Sequence, residues 1–563
     1  MDHGEERVSG LSRRGFLYGS VPFLLQDSLR GEPPKLSALV RISVPEKSFE
    51  DSFWIAAKLT NEMRALAQNH YHEDGWLSVS DGKTGPQHSF DPRDFRYGPK
   101  CAAYLYGDDP TFALEMGKRI FEDETDPVDG RIKWDPKGQT SIHLAQTVKH
   151  FSDYVVYAGQ ADFVRGNWDR LVKMARWSLA NYDRNSDGLI EQGQTVPDHF
   201  WSLLVGEPYN FAQVDHCADD VVVVSTMEVC EFLLLMARYA GQNGLADAEW
   251  LRSRASQMHE AIESTAFDPA ANYYYHLRRT SEMRWYHSIS GINEESRELD
   301  VAPYYSALVS GQSGRAAAVA QYARKVLLED VIFPMPLHYP TYCWVSPNYG
   351  SPFGGICGGC WEEAYYNCVR SWAHCRMLDA VYEAIRRRSE AYVRDQDCRE
   401  WYTHDGRSRG RDRYGISAAA HVSAIVEGLF GITPTSFGFD EVNVAPNLPL
   451  KWAGAPASLQ VALPSGGFLK CEWKCDLAAR TVELTASTNK QRTGHFRIFV
   501  PGPVTSVQWN SERIRYDSAP QVGTGVFVLV NRPFQDATIH IQFGTCEAVG
   551  LPPASCGTLL KAN

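Results

Sequence analysis

The sequence predicts a mainly α-helical protein, an (α/α)6 toroid of helical hairpins followed by a C-terminal β-sandwich. Apolar residues recur at helical spacing from about residue 50 to 430, and short β-rich runs follow Gly438. The length of 563 residues allows several domains. We therefore expect an N-terminal tail or export signal at 1–40, a helical domain at 41–437, a β-sandwich at 438–545 and a C-terminal tail at 546–563.

Three runs indicate how the helices pack. Residues 142–158 place apolar side chains three and four positions apart, which is typical of a helix with one buried face. Residues 221–238 and 363–386 are longer and more apolar. This pattern predicts helices that are packed on both sides.

The helical part contains an internal echo. Tyr-Ala-Gly-Gln occurs at 157–160 and again at 239–242, and a tryptophan follows each copy, at Trp168 and Trp250. A glycine just past the end of a helix is a common left-handed cap. Because both features recur at one offset, we expect repeated hairpins in which a new helix starts near each tryptophan.

The C-terminal part shows short runs rich in β-branched and aromatic residues. Turn residues separate these runs at intervals of about 8–12 residues, a spacing typical of a β-sandwich. The joint with the helical part is expected at 447–449, Asn-Leu-Pro. The predicted strands are 458–463, 468–474, 481–487, 496–500 and 538–543.

The charge and hydropathy patterns exclude several classes of function. The formal net charge is −12 and no dense basic block occurs, so the sequence does not favour nucleic-acid binding. No run approaches the roughly 18 apolar residues that a membrane-spanning helix needs. Ser-Arg-Arg-Gly-Phe-Leu at 12–17 resembles a twin-arginine export motif. Export to the periplasm and a plain N-terminal tail are both left open.

Hydrolysis of a glycosidic bond with inversion requires two carboxyl groups. One protonates the leaving oxygen and the other activates a water, and they stand about 6.5–9.5 Å apart. Distant loops of a toroid can supply such a pair. We find acids among aromatic residues and glycines in four segments, at 90–97, 183–201, 349–367 and 400–421.

These four segments, in this order, resemble the clan of inverting (α/α)6 glycoside hydrolases. The clan includes trehalases, processing α-glucosidases and mannosylglycerate hydrolases. Phe-Asp-Pro-Arg-Asp-Phe at 90–95 is similar to the clan's F-P-R-G-F entry motif. The resemblance implies that Arg93 and Asp94 hold the sugar that is cleaved.

The next two segments are similar to the clan's acid and pocket motifs. Glu-Gln-Gly at 191–193 followed by Asp198 resembles E-S-G-x-D, which implies that Asp198 is the general acid. Gly-Gly-Cys-Trp at 358–361 resembles R-G-P-x-W, which implies that Trp361 lines the pocket. Trp201 and Glu362 stand beside these motifs and are further candidates for sugar binding.

The best match lies at 400–421. Glu-Trp-Tyr at 400–402 and Ser-Ala-Ala-Ala-His at 417–421 resemble a motif whose glutamate is the general base. The resemblance therefore implies that Glu400 activates the water, and Trp401 becomes a sugar-stacking candidate. The stretch 442–449 also resembles the ends of rhamnosidase-like toroids.

Structural roles compete with each of these functional roles. Asp198 can cap a helix, with Glu191 as the acid instead. Glu400 can be a surface carboxylate that pairs with Arg399 or Arg407. Glu362 can act at a helix N-terminus. The tryptophans can be core residues, and a buried, hydrogen-bonded core residue is the expected role of His421.

A metal site is suggested by one loop. Asp183, Asn185 and Asp187 occupy positions 1, 3 and 5 of a calcium-loop pattern, and Gly188 occupies position 6. Position 12 is Gln194 in place of the usual glutamate. A tight Asx-type turn is the default prediction, and a structural calcium ion is the alternative.

The sequence therefore predicts an inverting, exo-acting glycoside hydrolase with a carbohydrate substrate. No nucleotide or redox cofactor is expected, since no glycine-rich phosphate loop follows a strand. A polysaccharide lyase on the same toroid is one alternative, with Tyr402, Tyr414 or His421 as the base. A non-catalytic carbohydrate-binding protein is the other. The oligomeric state is left open.

Overall fold

The structure is a computed structural model of the chain. It describes residues 39–74, 101, 103–105, 126–131, 161–191, 219–287, 301–311, 313–325, 328, 360–399, 401–402, 407–409, 412–464, 466–522 and 525–545. The helix predicted at 142–158 and the first copy of the echo lie outside these residues.

The described part of the chain is helical up to residue 429 and mainly β-stranded beyond it. None of its helices has the length and apolarity required to cross a membrane. The helices are α1 (Lys47–Asp74), α2 (Ala161–Gly166), α3 (Trp168–Tyr182), α4 (Val223–Asn243), α5 (Ala248–Ala261), α6 (Val301–Leu308), α7 (Ser313–Arg324), α8 (Glu362–His374), α9 (Leu378–Asp395) and α10 (Gly415–Ser423).

Helix α4 confirms the apolar run predicted at 221–238. Most of its residues are buried, including Val223, Phe232 and Tyr239. The predicted glycine cap at Gly241 is wrong, because the helix continues to Asn243 and the left-handed cap is Gly244 with φ of 62°. The expected helix starts near the two tryptophans are confirmed, since Trp168 opens α3 and Trp250 lies in the first turn of α5.

The single helix predicted at 363–386 is wrong, because the structure breaks it into α8 and α9. Arg376 lies between them in the left-handed region with φ of 67°. The backbone N–H of Met377 donates to the carbonyl of Trp372 at 2.8 Å, the pattern of a Schellman cap. An apolar periodicity on both sides of the break hides such a turn in the sequence.

The strands are short in the helical part and long in the C-terminal part. They are β1 (Arg41–Ser43), β2 (Val221–Val222), β3 (Phe267–Asp268), β4 (Tyr273–Tyr274), β5 (Leu277–Arg279), β6 (Arg284–Tyr286), β7 (Cys360–Trp361), β8 (Trp401–Tyr402), β9 (Ser408–Arg409), β10 (Ile432–Pro434), β11 (Glu441–Val444), β12 (Ala457–Leu463), β13 (Gly467–Asp476), β14 (Thr481–Val500), β15 (Val504–Trp509), β16 (Glu512–Arg513), β17 (Asp517–Val522) and β18 (Gly525–Phe543).

The C-terminal strands form one ten-stranded sheet, in which β1, β12, β13, β14, β18, β15 and β16 are neighbours in that order. All the pairs are antiparallel except β11 with β14. The predicted runs 481–487 and 496–500 merge into β14, with a register shift between Ser487 and Arg492. Buried and outward residues alternate along β13 and β14, as expected for strands with one apolar face.

The N-terminal residues of the helical part contribute to this sheet, because β1 pairs with β12. Shortly after β1 in the sequence, the Glu46 carboxylate connects the helical part with the C-terminal part. It accepts hydrogen bonds from Trp452 Nε1 at 3.0 Å and from Tyr382 O–H at 2.6 Å, and it pairs with Lys451 at 2.7 Å. Burial opposes ionisation of Glu46, but these partners lower its pKa overall. The exact domain boundaries stay predictions.

Candidate functional site

Strands β7, β8 and β9 form a small antiparallel sheet, which we call the ribbon. Trp361 pairs with Trp401, and Cys360 pairs with Tyr402. Trp401 also pairs with Arg409 on the other side. The ribbon therefore brings together the backbones of two segments that the resemblance assigns to one sugar pocket. Helix α8 starts at Glu362, directly after β7, as expected for a residue at a helix N-terminus.

A buried arginine contacts one strand of the ribbon. The Arg388 side chain on α9 is fully buried, and its guanidinium lies over the rings of Tyr365, Tyr392 and Tyr402 at 4.9, 5.8 and 5.5 Å. Burial raises the pKa of Tyr402 well above its usual value. Because Tyr402 belongs to β8, this cation–π cluster fixes the strand that also contains Trp401.

His421 belongs to the same buried layer. Its Nδ1 lies 3.0 Å from the hydroxyl of Tyr365 and its Nε2 lies 2.9 Å from the hydroxyl of Ser52, which in turn donates to Ser389 at 2.9 Å. Burial, reinforced by the nearby Arg388, lowers the pKa of His421 to about 3. The imidazole is therefore neutral, and the core role expected for His421 is confirmed.

The chain on both sides of Glu400 is anchored to the end of α9. Asp397 accepts hydrogen bonds from the backbone N–H of Cys398 at 2.8 Å and of Arg413 at 3.1 Å. The N–H of Tyr414, at the start of α10, donates to the carbonyl of Cys398 at 2.8 Å. Arg399 forms an ion pair with Asp397 at 3.2 Å. These contacts hold residues 397–399 and 413–414 together.

The loop at 183–191 is a tight turn of the Asx type, as the default prediction had it. Asn185 Oδ1 accepts from the N–H of Asp187 at 3.0 Å, and Asp187 Oδ1 accepts from the N–H of Leu189 at 2.9 Å. The Asp183 carboxylate accepts from the N–H of Gly188 at 3.2 Å. Gly188 has φ of 86°, a conformation that glycine adopts without strain.

Two arginines form ion pairs with the two carboxylates that would bind a calcium ion in the alternative. Arg254 donates to Asp183 at 2.7 Å and Arg278 donates to Asp187 at 2.9 Å. Burial raises the pKa of Asp183 to about 6. Within the described ranges, no group of three or more histidine, cysteine or acidic side chains is placed to hold a metal ion. A structural calcium ion stays a prediction.

Glu191 closes this loop and is held in the interior at 7% exposure. Its N–H donates to the carbonyl of Tyr182 at 2.6 Å, and its backbone forms a bridge with Val221. Arg184 donates to the Glu191 carboxylate and also to Asp219. Burial raises the pKa of Glu191 although Arg184 opposes the shift.

Most of the predicted site residues lie outside the described part of the chain. This applies to Arg93, Asp94, Asp198, Trp201 and Glu400, and to the twin-arginine motif at 12–17. Their roles, and the distance between the Asp198 and Glu400 carboxyl groups, stay predictions.

The structure describes Trp361, Glu362 and Trp401 through their backbone alone, in β7, α8 and β8. The ribbon that contains two of them is therefore the part of the candidate site that the structure places.

Sequence reasoning did not identify three buried charged residues, Asp220, Arg388 and Glu427. Asp220 accepts from the N–H of Thr280 at 2.8 Å, and burial raises its pKa to about 6. A usable signal existed for Glu427, which is the single charged residue in the apolar stretch 414–431. A charge inside such a stretch indicates a buried partner.

The three bases proposed for a lyase are all in the interior. Tyr402 and His421 are fully buried and Tyr414 is nearly so. Tyr414 is also the residue that precedes the first turn of α10. A side chain buried in this way is poorly placed to take a proton from a bound sugar. The burial of these three residues therefore disfavours the lyase alternative.

Comparison with solved structures finds the same fold in α-L-rhamnosidases. The enzyme from Dictyoglumus thermophilum matches with a TM-score of 0.57 and 9% identity, over 90% of this chain and 51% of that chain. The GH78 family rhamnosidase of Bacillus sp. GL1 matches with a TM-score of 0.55 and 14% identity, over 78% and 41%. No family model and no curated protein matches the sequence.

A third rhamnosidase structure, from Streptomyces avermitilis and complexed with L-rhamnose, matches with a TM-score of 0.55 and 12% identity. The match covers 90% of this chain and 42% of that one, so the chain spans about half the length of these proteins or less. At such low identity the comparisons establish the fold.

The chain therefore has the fold of a helical domain joined to a large antiparallel β-region. This is the fold of the GH78 rhamnosidases, which belong to the six-hairpin glycosidase clan. The resemblance predicted from the sequence motifs is confirmed at the level of the fold.

Proposed function

We propose that the protein is an inverting, exo-acting glycoside hydrolase whose active site lies at the ribbon of an (α/α)6 toroid. The pairing of Trp361 with Trp401 is the observation that supports this proposal most directly. It joins two motif segments that lie about 40 residues apart in sequence, within a fold that GH78 rhamnosidases share. A fold alone hosts many functions, so the argument rests on the residues at this place.

In the proposed mechanism, Asp198 protonates the glycosidic oxygen and Glu400 takes a proton from the attacking water. The water adds to the anomeric carbon from the face opposite the leaving group, which inverts the configuration. The anchored segments at 397–399 and 413–414 would limit the movement of the chain near Glu400. Glu191, whose pKa burial raises, is the substitute proton donor.

Sugar binding is assigned to aromatic and charged side chains of the same segments. Trp361 and Trp401 would form walls at the ribbon, with Trp201 as a third aromatic surface. Arg93, Asp94 and Glu362 would hold hydroxyl groups. The proposed partner is a carbohydrate alone, with no nucleotide or redox cofactor and no nucleic acid. Export through the twin-arginine-like segment belongs to the same proposal.

The similar structures suggest the first sugar to try. The proteins from Dictyoglumus thermophilum and Streptomyces avermitilis are α-L-rhamnosidases, and the structure of the second contains L-rhamnose. We therefore propose α-L-rhamnosides as the first substrate class, followed by other aryl-glycosides and oligosaccharides. This substrate is a proposal because the chain spans only part of those proteins.

The test measures turnover of an aryl-glycoside panel by the wild type and by Asp198→Asn and Glu400→Gln. General acid–base catalysis contributes about 10²–10⁴-fold, so each variant should lose turnover by that factor and still bind the sugar. Glu249→Gln, an exposed carboxylate on α5, is the matched control and should retain full activity. Unchanged turnover in both site variants would refute the assignment.

Two further outcomes separate the alternatives. Loss of turnover in Glu191→Gln with full activity in Asp198→Asn would reassign the proton donor to Glu191. An unsaturated product that absorbs in the ultraviolet would identify a lyase. Sugar binding without turnover of any glycoside would identify a non-catalytic carbohydrate-binding protein.

A further inference from the structure

A cleft of about 500 Å³ lies where α1 packs beside β1, β12 and β13. It is formed by the C-terminal sheet and the first helix, and it contains none of the residues assigned to catalysis. It is lined by the polar residues Arg41, Ser43, Ser458, Gln460 and Lys470, by Trp54, and by Ile42 and Leu459, whose side chains are buried.

The strand register arranges the polar lining in a row. Arg41 on β1 lies opposite Gln460 on β12, and Gln460 lies opposite Lys470 on β13. Neighbouring strands are about 4.8 Å apart, so the Cα atoms of Arg41 and Lys470 lie about 10 Å from each other with Gln460 between them. The alternate residues Ile42 and Leu459 are buried on the opposite face of the strands.

Trp54 borders this row from α1. The indole is 36% exposed, although Phe53 beside it is fully buried. The two rings meet edge to face, with centroids 5.4 Å apart. The packing against a buried ring holds the Trp54 side chain in place while part of its surface faces the cleft. An aromatic surface of this kind stacks on the apolar C–H face of a pyranose ring.

The charge of the cleft favours an anionic ligand. Lys470 pairs with Glu472 at 3.3 Å, whereas Arg41 has no carboxylate partner among the residues that the structure describes. The whole chain has a net charge of −12, so a cationic row is a local exception. Gln460 Nε2 donates to the carbonyl of Leu39 at 2.6 Å, which leaves its side-chain oxygen as an acceptor for a hydroxyl group.

We propose that this cleft binds an acidic oligosaccharide, separately from the proposed active site. Trp54 stacks on one sugar ring. Arg41 pairs with a carboxylate of a uronic acid unit, and Lys470, which also pairs with Glu472, adds a second N–H donor. Gln460 accepts from a sugar hydroxyl. Such a site would hold an acidic polysaccharide close to the enzyme without taking part in hydrolysis.

The experiment measures binding of the α-1,4-linked hexamer of galacturonic acid by isothermal titration calorimetry, with the methyl-esterified hexamer as the uncharged control. The wild type should bind the acid hexamer at least tenfold more tightly than the ester, and added salt should weaken the binding. Trp54→Ala and Arg41→Gln should each weaken it at least fivefold. Tyr516→Ala removes an aromatic residue of similar exposure, 37%, and should change nothing.

Two controls test whether the Trp54 ring is what binds the sugar and whether the cleft is separate from the proposed active site. Trp54→Phe keeps an aromatic ring on Phe53 and should restore most of the binding that Trp54→Ala loses. Turnover of a small aryl-glycoside should be equal in Trp54→Ala and the wild type, which separates this proposal from the active-site proposal.

Three results would overturn the proposal. These are equal binding of the acid and ester hexamers, wild-type binding by Trp54→Ala and Arg41→Gln, and loss of hexamer binding in Glu400→Gln with retention in Trp54→Ala. The last result would place the acidic sugar at the ribbon.

Discussion

The C-terminal sheet and the helical layer around the ribbon fill their interiors in different ways. In the sheet, apolar residues alternate with outward residues, and Leu484 packs opposite Ile539 with both fully buried. The helical layer buries Arg388, His421 and Glu427 as well as apolar groups. The sheet therefore depends on apolar area and register, whereas the helical layer depends on each polar group keeping its partner.

The largest difference is expected at Glu427. Its carboxylate accepts from Tyr366 O–H at 2.6 Å, lies 3.1 Å from the hydroxyl of Tyr104 and pairs with Arg370. Glu427→Ala removes the carboxylate that these groups share and leaves the charge of Arg370 without it, so the free energy of unfolding should fall by about 3–5 kcal/mol. Urea unfolding followed by tryptophan fluorescence measures this loss.

Glu249→Ala is the control, because its carboxylate is exposed and pairs only with Arg252 among the described contacts. It should change the free energy of unfolding by less than about 0.5 kcal/mol. A loss below 1 kcal/mol in Glu427→Ala would show that the buried charge network does not stabilise the helical layer.

In the C-terminal sheet, the loss of a buried apolar side chain should lower the free energy of unfolding. Leu484→Ala removes a fully buried side chain from β14, the strand between β13 and β18, so the free energy of unfolding should fall by about 2–5 kcal/mol. The loss should be the same at pH 7 and pH 5, because no titrating group takes part. Thr485→Ala, on the opposite face of the same strand, should cost less than about 1 kcal/mol. Equal losses in the two variants would contradict the assigned faces.

His421 should give the helical layer a pH dependence. Burial lowers the pKa of His421 to about 3, against about 6.5 in the unfolded chain. Below pH 6.5 the unfolded chain therefore binds a proton that the folded protein does not, and stability is lost as the pH falls towards 3. At pH 5 the loss from this residue is about 2 kcal/mol.

Comparison with His421→Gln isolates this effect, because the other titrating groups are common to both proteins. The wild type should be more stable than the variant at pH 7, and its advantage should shrink by about 2 kcal/mol at pH 5. Urea unfolding at both pH values measures the two differences. An advantage that stays constant would mean that His421 is not held neutral in the folded protein.

The smallest effect is expected at the turn of residues 183–191. Because Arg254 and Arg278 already pair with Asp183 and Asp187, calcium should not raise the melting temperature and a chelator should not lower it. Differential scanning fluorimetry with millimolar calcium or EDTA checks this expectation. A rise of several degrees with calcium would support the metal alternative and imply that the arginines move away.

The same contrast explains what the sequence could predict. Alternation with period two located the strands of the sheet, since one face of each is buried; β12 and β13 match the predicted runs closely. It missed the continuity of β14, because polar residues at 489–492 interrupt the pattern at the register shift. In the helical part, periodicity located α4 but gave no sign of the turn at Arg376, which depends on backbone hydrogen bonds.

The candidate site was predictable only where a local motif existed. The motifs drew attention to Trp361 and Trp401, and in the structure their backbones pair in the ribbon. Arg388 could not be predicted, because its three tyrosine partners come from α8, α9 and β8 and meet only in the folded chain. Asp220 likewise depends on Thr280, which lies on a separate hairpin.

The central claim is that two carboxylates act on opposite faces of one sugar with a water between them. Proton NMR during the first minutes of hydrolysis of a cleaved aryl-glycoside tests it most directly, because the spectrum identifies the anomer before mutarotation. We predict that the first sugar released has the configuration opposite to that of the substrate. Release of the same anomer would require a covalent intermediate and would contradict the proposed roles of Asp198 and Glu400.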